Sequence, residues 1–276
     1  MPFALLDAPF PLHGDGKLTS LHACESSRAA CRMQPQPTTA IAPALLALGQ
    51  IFVYDDARSA PRRCTQEHFV EHETWVIFDL GGVLVDCVGG WAEACNRANV
   101  PLRPISQNQW ESSRELFHAF ETGAIDEPSF ILRLAQSLDL SPTHIAAILD
   151  AWLLGPKNGA AAIIERLRAR GVPTAVLSNT NPRHWNTLEQ NDAYLPLRQL
   201  TPRFASHQLG LRKPDPLIWS HVQEQLAVTA DRILFFDDLE DNIRAARASG
   251  WNTVWVNSPA PIAQIERELL EHGLLF

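Results

Sequence analysis

Cysteine is scarce in this chain and is absent from its last 180 residues. The five cysteines, an odd number, include no Cys-x-x-Cys pair, and the last of them is Cys95. Disulfide frameworks in small secreted proteins usually show an even set of cysteines. The pattern therefore predicts a reduced, cytoplasmic protein without structural disulfides.

Excess positive charge and long apolar stretches are also lacking. The formal net charge is −8, so no basic stripe is available for a general nucleic-acid binder. The most apolar early segment, Ile41 to Tyr54, contains Pro43 and is too short to span a bilayer. The first ten residues carry no basic region of the kind that opens a signal peptide. We expect neither nucleic acid nor a membrane as a partner, and the sequence says nothing about oligomeric state.

Tryptophan is absent from residues 1–72, although the chain contains eight. The same segment is rich in Ala, Pro, Ser and Thr and shows no sustained period of 3.6 or 2. Such a composition is typical of a segment that does not build a packed core of its own. We predict a poorly structured N-terminal extension over residues 1–72.

After residue 72, four short apolar runs predict the buried strands of a sheet. They are Trp75-Val-Ile-Phe78, Ala175-Val-Leu177, Ile233-Leu-Phe-Phe236 and Thr253-Val-Trp-Val256. Helical patterns over 160–170 and 241–249 precede the second and fourth runs. This alternation favours an α/β fold with a doubly wound parallel sheet covered on both faces. We assign it to residues 73–87 and 156–276.

Residues 88–155 show no strand pattern and carry helical signals instead. One helical stretch runs from Ser106 towards Glu121, and another follows Asp126. A third opens with Ser141 and Pro142, which are favoured at the N-cap and first helical positions. We predict that residues 88–155 form a helical cap inserted after the first strand.

Polar side chains follow the first three apolar runs, where each predicted strand ends. In an open parallel sheet, ligands bind beyond the carboxyl ends of the strands, so these side chains can converge. Carboxylates can attack phosphorus and hold Mg²⁺, while lysine and hydroxyl groups balance the phosphoryl oxygens. The side chains that follow the runs are Asp79, Ser178, Asp237 and Asp238, and Lys213 lies in the loop between the second and third runs.

Four segments resemble, in order, the motifs of haloacid dehalogenase-like hydrolases. They are Phe78-Asp-Leu-Gly-Gly-Val-Leu84, Leu177-Ser-Asn-Thr180, Arg212-Lys-Pro-Asp-Pro216, and Phe236-Asp-Asp238 with Asn242. The segment from Ser178 to Trp185 is also similar to a subgroup that includes glucose-1-phosphate phosphatases. The resemblance implies a Rossmann-like core and a Mg²⁺-dependent phosphohydrolase that acts on a small phosphorylated metabolite, such as a sugar phosphate.

The resemblance also implies a role for each matching residue. Asp79 matches the nucleophile and one metal ligand, and Asp238 matches the second carboxylate ligand. Asp237 matches the outer neighbour of that ligand. The phosphate-binding positions are Ser178, Asn179 and Lys213.

One position, Gly81, departs from the family pattern. Most phosphatases of the family carry a second aspartate there, which gives its carbonyl to the metal and protonates the leaving group. Gly81 keeps the carbonyl as a metal ligand but lacks the acid, a group worth roughly 10²- to 10⁴-fold in rate. Either the leaving group needs little protonation, as in a sugar-1-phosphate, an acyl phosphate or an aryl phosphate, or Asp86 or His184 supplies the proton.

Two other functions remain open from the sequence. In 2-haloacid dehalogenases the first aspartate attacks carbon without a metal, an aromatic residue usually stands where this chain has Gly81, and the acidic pair is missing. The pair Asp237 and Asp238 therefore favours the phosphatase. A phosphate-binding or regulatory protein without turnover is the other alternative, and only Gly81 favours it.

Overall fold

The computed structural model describes residues 74–276, so the extension predicted over residues 1–72 lies outside the described part. Seven strands lie within the described residues: β1 Trp75–Phe78, β2 Val85–Cys87, β3 Leu153–Pro156, β4 Thr174–Ser178, β5 Arg203–Ala205, β6 Ile233–Asp237 and β7 Asn252–Trp255. Five of them form a parallel sheet in the order β5-β4-β1-β6-β7. The chain winds from β1 to one edge and then crosses to the other, which confirms the doubly wound α/β fold.

Helices surround this sheet and also form a separate cluster. The helices of residues 74–276 are α1 Trp91–Arg97, α2 Gln107–Glu121, α3 Glu127–Leu138, α4 Pro142–Asp150, α5 Ala160–Ala169, α6 Pro182–Gln190, α7 Ser206–Leu209, α8 Pro216–Leu226, α9 Glu240–Ala248 and α10 Pro261–Glu271. None of them is long and apolar enough to cross a membrane.

Alternation along β1 explains why both faces of the sheet are covered. Val76 and Phe78 pack into the cluster that contains side chains of α5 and α10. Ile77 points to the opposite face and packs with side chains of α8 and α9. Because successive side chains of a strand point to opposite faces, a strand buried on both sides must be apolar throughout. The four apolar runs are therefore confirmed as strands of the parallel sheet.

Helices α1 to α4 share a hydrophobic core of their own, built around residues such as Phe117, Phe130 and Trp152. Their starts follow the helical signals of the sequence. Ser106, Asp126 and Ser141 are the N-cap residues of α2, α3 and α4, and each side chain accepts a hydrogen bond from a backbone N–H in the first turn. An N-cap oxygen satisfies one of the backbone donors that the first turn leaves unpaired.

The prediction that residues 88–155 contain no strand is wrong at the end of that segment. Strand β3, Leu153–Pro156, pairs with β2 in an antiparallel two-stranded ribbon. The segment contains Gly155 and Pro156, which are unfavourable in strands, so its sequence carries no strand signal. Its extended shape comes from pairing with β2, a tertiary contact that local sequence does not encode.

Two arginines form ion pairs between the helices of residues 91–150 and the part of the chain that contains the parallel sheet. Arg183, at the start of α6, forms a bidentate pair with Asp150, with both N···O distances 2.7 Å, and also contacts Glu127. Arg212 lies 3.1 Å from Glu121, whose side chain is buried. Bidentate arginine–carboxylate pairs fix orientation as well as distance. These ion pairs connect the helical cluster to the start of α6 and to the residue that precedes Lys213.

Candidate active site

The sheet order brings together the residues that end its three central strands. Asp79 directly follows β1, Ser178 ends β4 and Asp237 ends β6. Strands β4 and β6 lie on either side of β1, so their carboxyl ends meet at one edge of the sheet. The chain reverses its winding direction around β1, which is where open α/β sheets bind ligands.

Lys213 lies at the centre of this group and is buried, with 1% of its surface exposed. Its Nζ is 3.0 Å from Asp79 Oδ1 and 2.7 Å from Asp237 Oδ2, and it donates to the carbonyl of Leu177 at 2.8 Å. These acceptors match the three donors of an ammonium group. Burial lowers the pKa of Lys213, but the carboxylates of Asp237 and Asp79 outweigh it and raise that pKa overall. Lys213 is therefore a cation fixed between two acids.

Asn179 positions the Lys213 loop. Its Oδ1 accepts from the backbone N–H of Lys213 at 2.8 Å, and its Nδ2 donates to the carbonyl of the same residue at 2.8 Å. The sequence placed Asn179 among the phosphate-binding residues. Both polar atoms of its side chain bind the backbone of Lys213, so the side chain orders this loop.

Asp79, Asp237 and Asp238 each offer an oxygen, and these atoms lie within 4.8 Å of one another. Asp237 is held by many donors, since Leu239 N–H donates at 2.8 Å and Asn242 Nδ2 lies 3.0 and 3.1 Å from its two oxygens. With Lys213 added, both oxygens of Asp237 have hydrogen-bond donors. This favours Asp237 as an orienting neighbour of a cation.

The electrostatics of the three acids favour a bound cation. Burial raises the pKa of Asp79 to about 7, an effect opposed by Lys213 and increased by Asp237 and Asp238. Burial also raises the pKa of Asp238, and the charge of Asp237 adds to this increase. Crowded carboxylates repel one another, and a divalent cation relieves that repulsion. A set of carboxylate oxygens, with the backbone carbonyl of Gly81 nearby in sequence, suits Mg²⁺, which prefers oxygen ligands.

Trp255 is a site neighbour that the sequence did not indicate. Its Nε1–H donates to the backbone carbonyl of Asp238 at 3.0 Å, while the residue as a whole remains 40% exposed. Residue 255 was predicted only as part of an apolar strand. The contact depends on β7 lying next to β6, so no local sequence signal could have found it.

His184 does not have the arrangement of a proton donor. It is buried, its Nε2 lies 2.9 Å from the carbonyl of Leu149, and its Nδ1 lies 3.1 Å from Asn181 Nδ2. A carbonyl only accepts, which places the ring proton on Nε2 and makes Nδ1 the acceptor. Burial lowers the pKa of His184 to about 4, so the ring is neutral near pH 7. Its N–H is committed to Leu149, which argues for a structural role.

Asp86, the other candidate acid, lies on β2 and forms an ion pair with Lys157. Its side chain is half exposed. Gly81 itself is buried and forms a backbone bridge with Val85, and the left-handed turn of this loop falls on Gly82, with φ 74°. Asp86 is therefore paired with a lysine that directly follows its partner strand β3, and Gly81 has no side chain that could act as an acid.

A cavity lies beside Gly81. Its apolar lining is Leu80, Val85, Cys87, Leu153 and Leu188, and its polar lining is Ser178, Asn179, Thr180 and His184. Burial raises the pKa of the Cys87 thiol to about 12, with a further increase from the charge of Asp79, so this thiol is neutral. Among residues 74–276, no lysine or arginine belongs to this lining.

Comparison with known proteins agrees with this geometry. Residues 74–250 match the family model described as haloacid dehalogenase-like hydrolase. Sesquiterpene phosphatase astK of Aspergillus oryzae is 28% identical over 180 residues, covering 63% of this chain and 85% of that protein. Phosphatase MT3486 of Mycobacterium tuberculosis is 29% identical over 200 residues, covering 66% and 86%. (S)-2-haloacid dehalogenase H-109 of Pseudomonas putida is 25% identical over 194 residues, covering 66% and 84%.

A solved structure shows the same fold. The magnesium complex of the HAD family enzyme bt-2542 from Bacteroides thetaiotaomicron superposes with a TM-score of 0.60 at 22% identity, covering 70% of this chain and 98% of that one. The family match spans the first strand, the helical segment and the three strand ends that meet at Asp79. The chain belongs to the haloacid dehalogenase-like hydrolase family.

Proposed function

We propose that this hydrolase is a Mg²⁺-dependent phosphatase that cleaves a small phosphomonoester through an aspartyl-phosphate at Asp79. The observation that carries the proposal is the position of Asp79, buried 3.0 Å from Lys213 and within 4.8 Å of two further carboxylates. A nucleophile, a fixed cation and a cation-binding acid cluster are the parts that phosphoryl transfer requires.

Each residue of the site has a separate role in this reaction. A carboxylate oxygen of Asp79 attacks phosphorus, the bond to the leaving oxygen breaks, and water then cleaves the aspartyl-phosphate. Lys213 and the hydroxyl of Ser178 stabilise the phosphoryl oxygens as charge moves onto them. Mg²⁺ held by Asp79, Asp238 and the Gly81 carbonyl would neutralise phosphoryl charge. Asp237 keeps Lys213 and the acid cluster in place.

We also propose that residues 88–155 act as a cap over this site. The ion pairs of Arg183 and Arg212 with acids of the helical cluster support that role. A cap that closes on the substrate excludes bulk water and strengthens the electrostatic interactions inside. Arg212 directly precedes Lys213, so the residue that contacts the cap is next to the phosphate-binding lysine in the sequence.

The names of two relatives support phosphate chemistry, and the neighbour's magnesium complex supports the choice of ion. Dehalogenation is the competing reaction, since a dehalogenase is also among the relatives. The acidic cluster favours the phosphatase because a reaction at carbon would gain nothing from crowding three carboxylates. Suitable substrates have leaving groups that need little protonation, such as sugar-1-phosphates, acyl phosphates and aryl phosphates.

Chelation of divalent metal is expected to abolish hydrolysis of p-nitrophenyl phosphate, and added Mg²⁺ should restore it. Asp238→Ala should raise the Mg²⁺ concentration for half-maximal activity by about 10²-fold, because removing one carboxylate ligand weakens the site. Asp241→Ala is the matched control, since Asp241 lies on the exposed side of α9 and contacts Arg244. Its Mg²⁺ requirement should stay within threefold of the unmodified protein. Full activity in chelator would contradict the Mg²⁺ requirement, and release of chloride from a 2-chloroacid would replace the phosphatase with the dehalogenase.

A further inference from the structure

We propose that the cavity beside Gly81 selects an aryl phosphate, a phosphomonoester whose leaving group is both apolar and weakly basic. The inference rests on the proposed phosphatase function and adds the class of substrate. Sugar phosphates, which the family resemblance suggests, are the alternative that it rejects. Three features of the cavity lead to this choice.

The first feature is the apolar lining. Five side chains from four parts of the chain supply it. Burial of a planar apolar ring against such a surface is favourable in proportion to the area removed from water. The lining side chains are Leu80, Val85, Cys87, Leu153 and Leu188.

The second feature is that two of the polar lining groups are already occupied. Asn179 uses its side-chain oxygen and nitrogen on the backbone of Lys213, and His184 uses its two ring nitrogens on Leu149 and Asn181. Ser178 is assigned to the phosphoryl group. Among the described lining residues this leaves the Thr180 hydroxyl for a sugar. Each further sugar hydroxyl that is buried without a partner would weaken binding by on the order of tenfold or more.

The third feature is Gly81 itself, which lines the same cavity. An aspartate at this position would serve as the acid and would also place a carboxylate against the apolar wall. Its absence removes the proton donor and the charge together. A phenolate departs without full protonation, so an aryl ester tolerates the missing proton donor. Its apolar ring also benefits from the missing carboxylate charge.

The reaction balances without a further reactant. The Asp79 oxygen bonds to phosphorus as the phosphorus–oxygen bond to the aryl group breaks, and the phenolate leaves with the electron pair and takes a proton from solvent. Water then bonds to phosphorus, and the bond between phosphorus and the Asp79 oxygen breaks. The products are one phenol and one inorganic phosphate, and Asp79 is regenerated.

The test uses the full chain with Mg²⁺ and compares aryl phosphates in pairs whose phenols are equally acidic, one with an alkyl substituent and one with a hydroxyalkyl substituent. Glucose 1-phosphate and glucose 6-phosphate complete the series. We expect kcat/KM to be at least about tenfold higher for the alkyl member of each pair, and about 10²-fold higher for aryl esters than for either sugar phosphate. Equal values within a pair would overturn the apolar selection, and efficient cleavage of glucose 1-phosphate would overturn the substrate class.

Comparison of Gly81→Asp with Gly81→Asn separates the effect of a proton donor from the effect of a polar side chain in the cavity. The aspartate should raise the rate on glucose 6-phosphate, a poor leaving group, by up to ~10²-fold. The Gly81→Asn variant should show no such increase in rate. Both variants should have a higher KM for the alkyl-substituted aryl esters. If both variants keep the preference for aryl esters, this cavity does not receive the leaving group.

A binding measurement keeps this inference separate from the proposed function. Phenylphosphonate and methylphosphonate differ only in the apolar group and cannot be hydrolysed at their phosphorus–carbon bond. Calorimetry with Mg²⁺ and the unmodified chain should show at least tenfold tighter binding of phenylphosphonate. If no ester is hydrolysed but this difference is present, the phosphatase proposal fails and the apolar selection stands. If esters are hydrolysed and the phosphonates bind equally, the apolar selection alone fails.

Discussion

Asp79→Asn is expected to abolish hydrolysis of every phosphomonoester tested, with kcat reduced by about 10⁴-fold or more. An amide oxygen is a far weaker nucleophile than a carboxylate, and losing the covalent step removes most of the chemical contribution of the site. Asparagine has nearly the shape of aspartate, and its oxygen can still accept from Lys213, which lies 3.0 Å away. The fold should therefore survive the change.

The measurement is phosphate release at saturating Mg²⁺, with the unfolding midpoint in urea recorded for the same samples. Asp241→Asn is the matched control, because it makes the same chemical change on an exposed helix position. The control should keep at least half of the activity. An Asp79→Asn protein that remains folded and within tenfold of full activity would show that another group attacks phosphorus.

Lys213→Met is expected to lower the free energy of unfolding by about 3–5 kcal/mol as well as to remove activity. Lys213 is buried between Asp79 and Asp237, and methionine of similar length would leave both acids without their cation. An unpaired buried charge costs far more than the net contribution of the intact pair. The expected loss is largest in chelator, since Mg²⁺ would partly replace the missing positive charge.

Equilibrium unfolding in urea checks this prediction, and a second substitution shows its cause. Adding Asp237→Asn to Lys213→Met removes one of the two unpaired buried charges, so the double variant should regain part of the lost stability. Asp237→Asn alone should be destabilising, because it disturbs the contacts of Lys213 and Asn242. A single Lys213→Met variant within about 1 kcal/mol of the unmodified protein would mean that its charge does not balance the acids.

The sheet and the meeting of Asp79, Ser178 and Asp237 could be predicted because two simple rules apply there. A strand buried on both faces must be apolar along its length, and the polar residue that ends it must lie at the ligand-binding edge. Lys213 was harder to place from spacing alone, since a lysine before a proline is usually a solvated loop residue. Its match to a phosphate-binding position came from the family resemblance.

Contacts made across the fold could not be predicted. Strand β3 exists because β2 pairs with it, and the bond from Trp255 to the Asp238 carbonyl exists because β7 lies next to β6. The state of His184 likewise depends on the carbonyl of Leu149 from a distant helix. The sequence shows which groups are present, but the fold decides which of their polar atoms are already occupied.

The most direct test of the account is to trap the covalent intermediate. The full chain would be mixed with p-nitrophenyl phosphate and Mg²⁺, quenched in acid within the first turnovers, digested, and examined by mass spectrometry. We predict one phosphoryl group on the peptide that contains Asp79, present only with Mg²⁺ and absent from Asp79→Asn. Steady phosphate release by the unmodified protein with no such adduct, or with the phosphoryl group on another residue, would contradict Asp79 as the nucleophile.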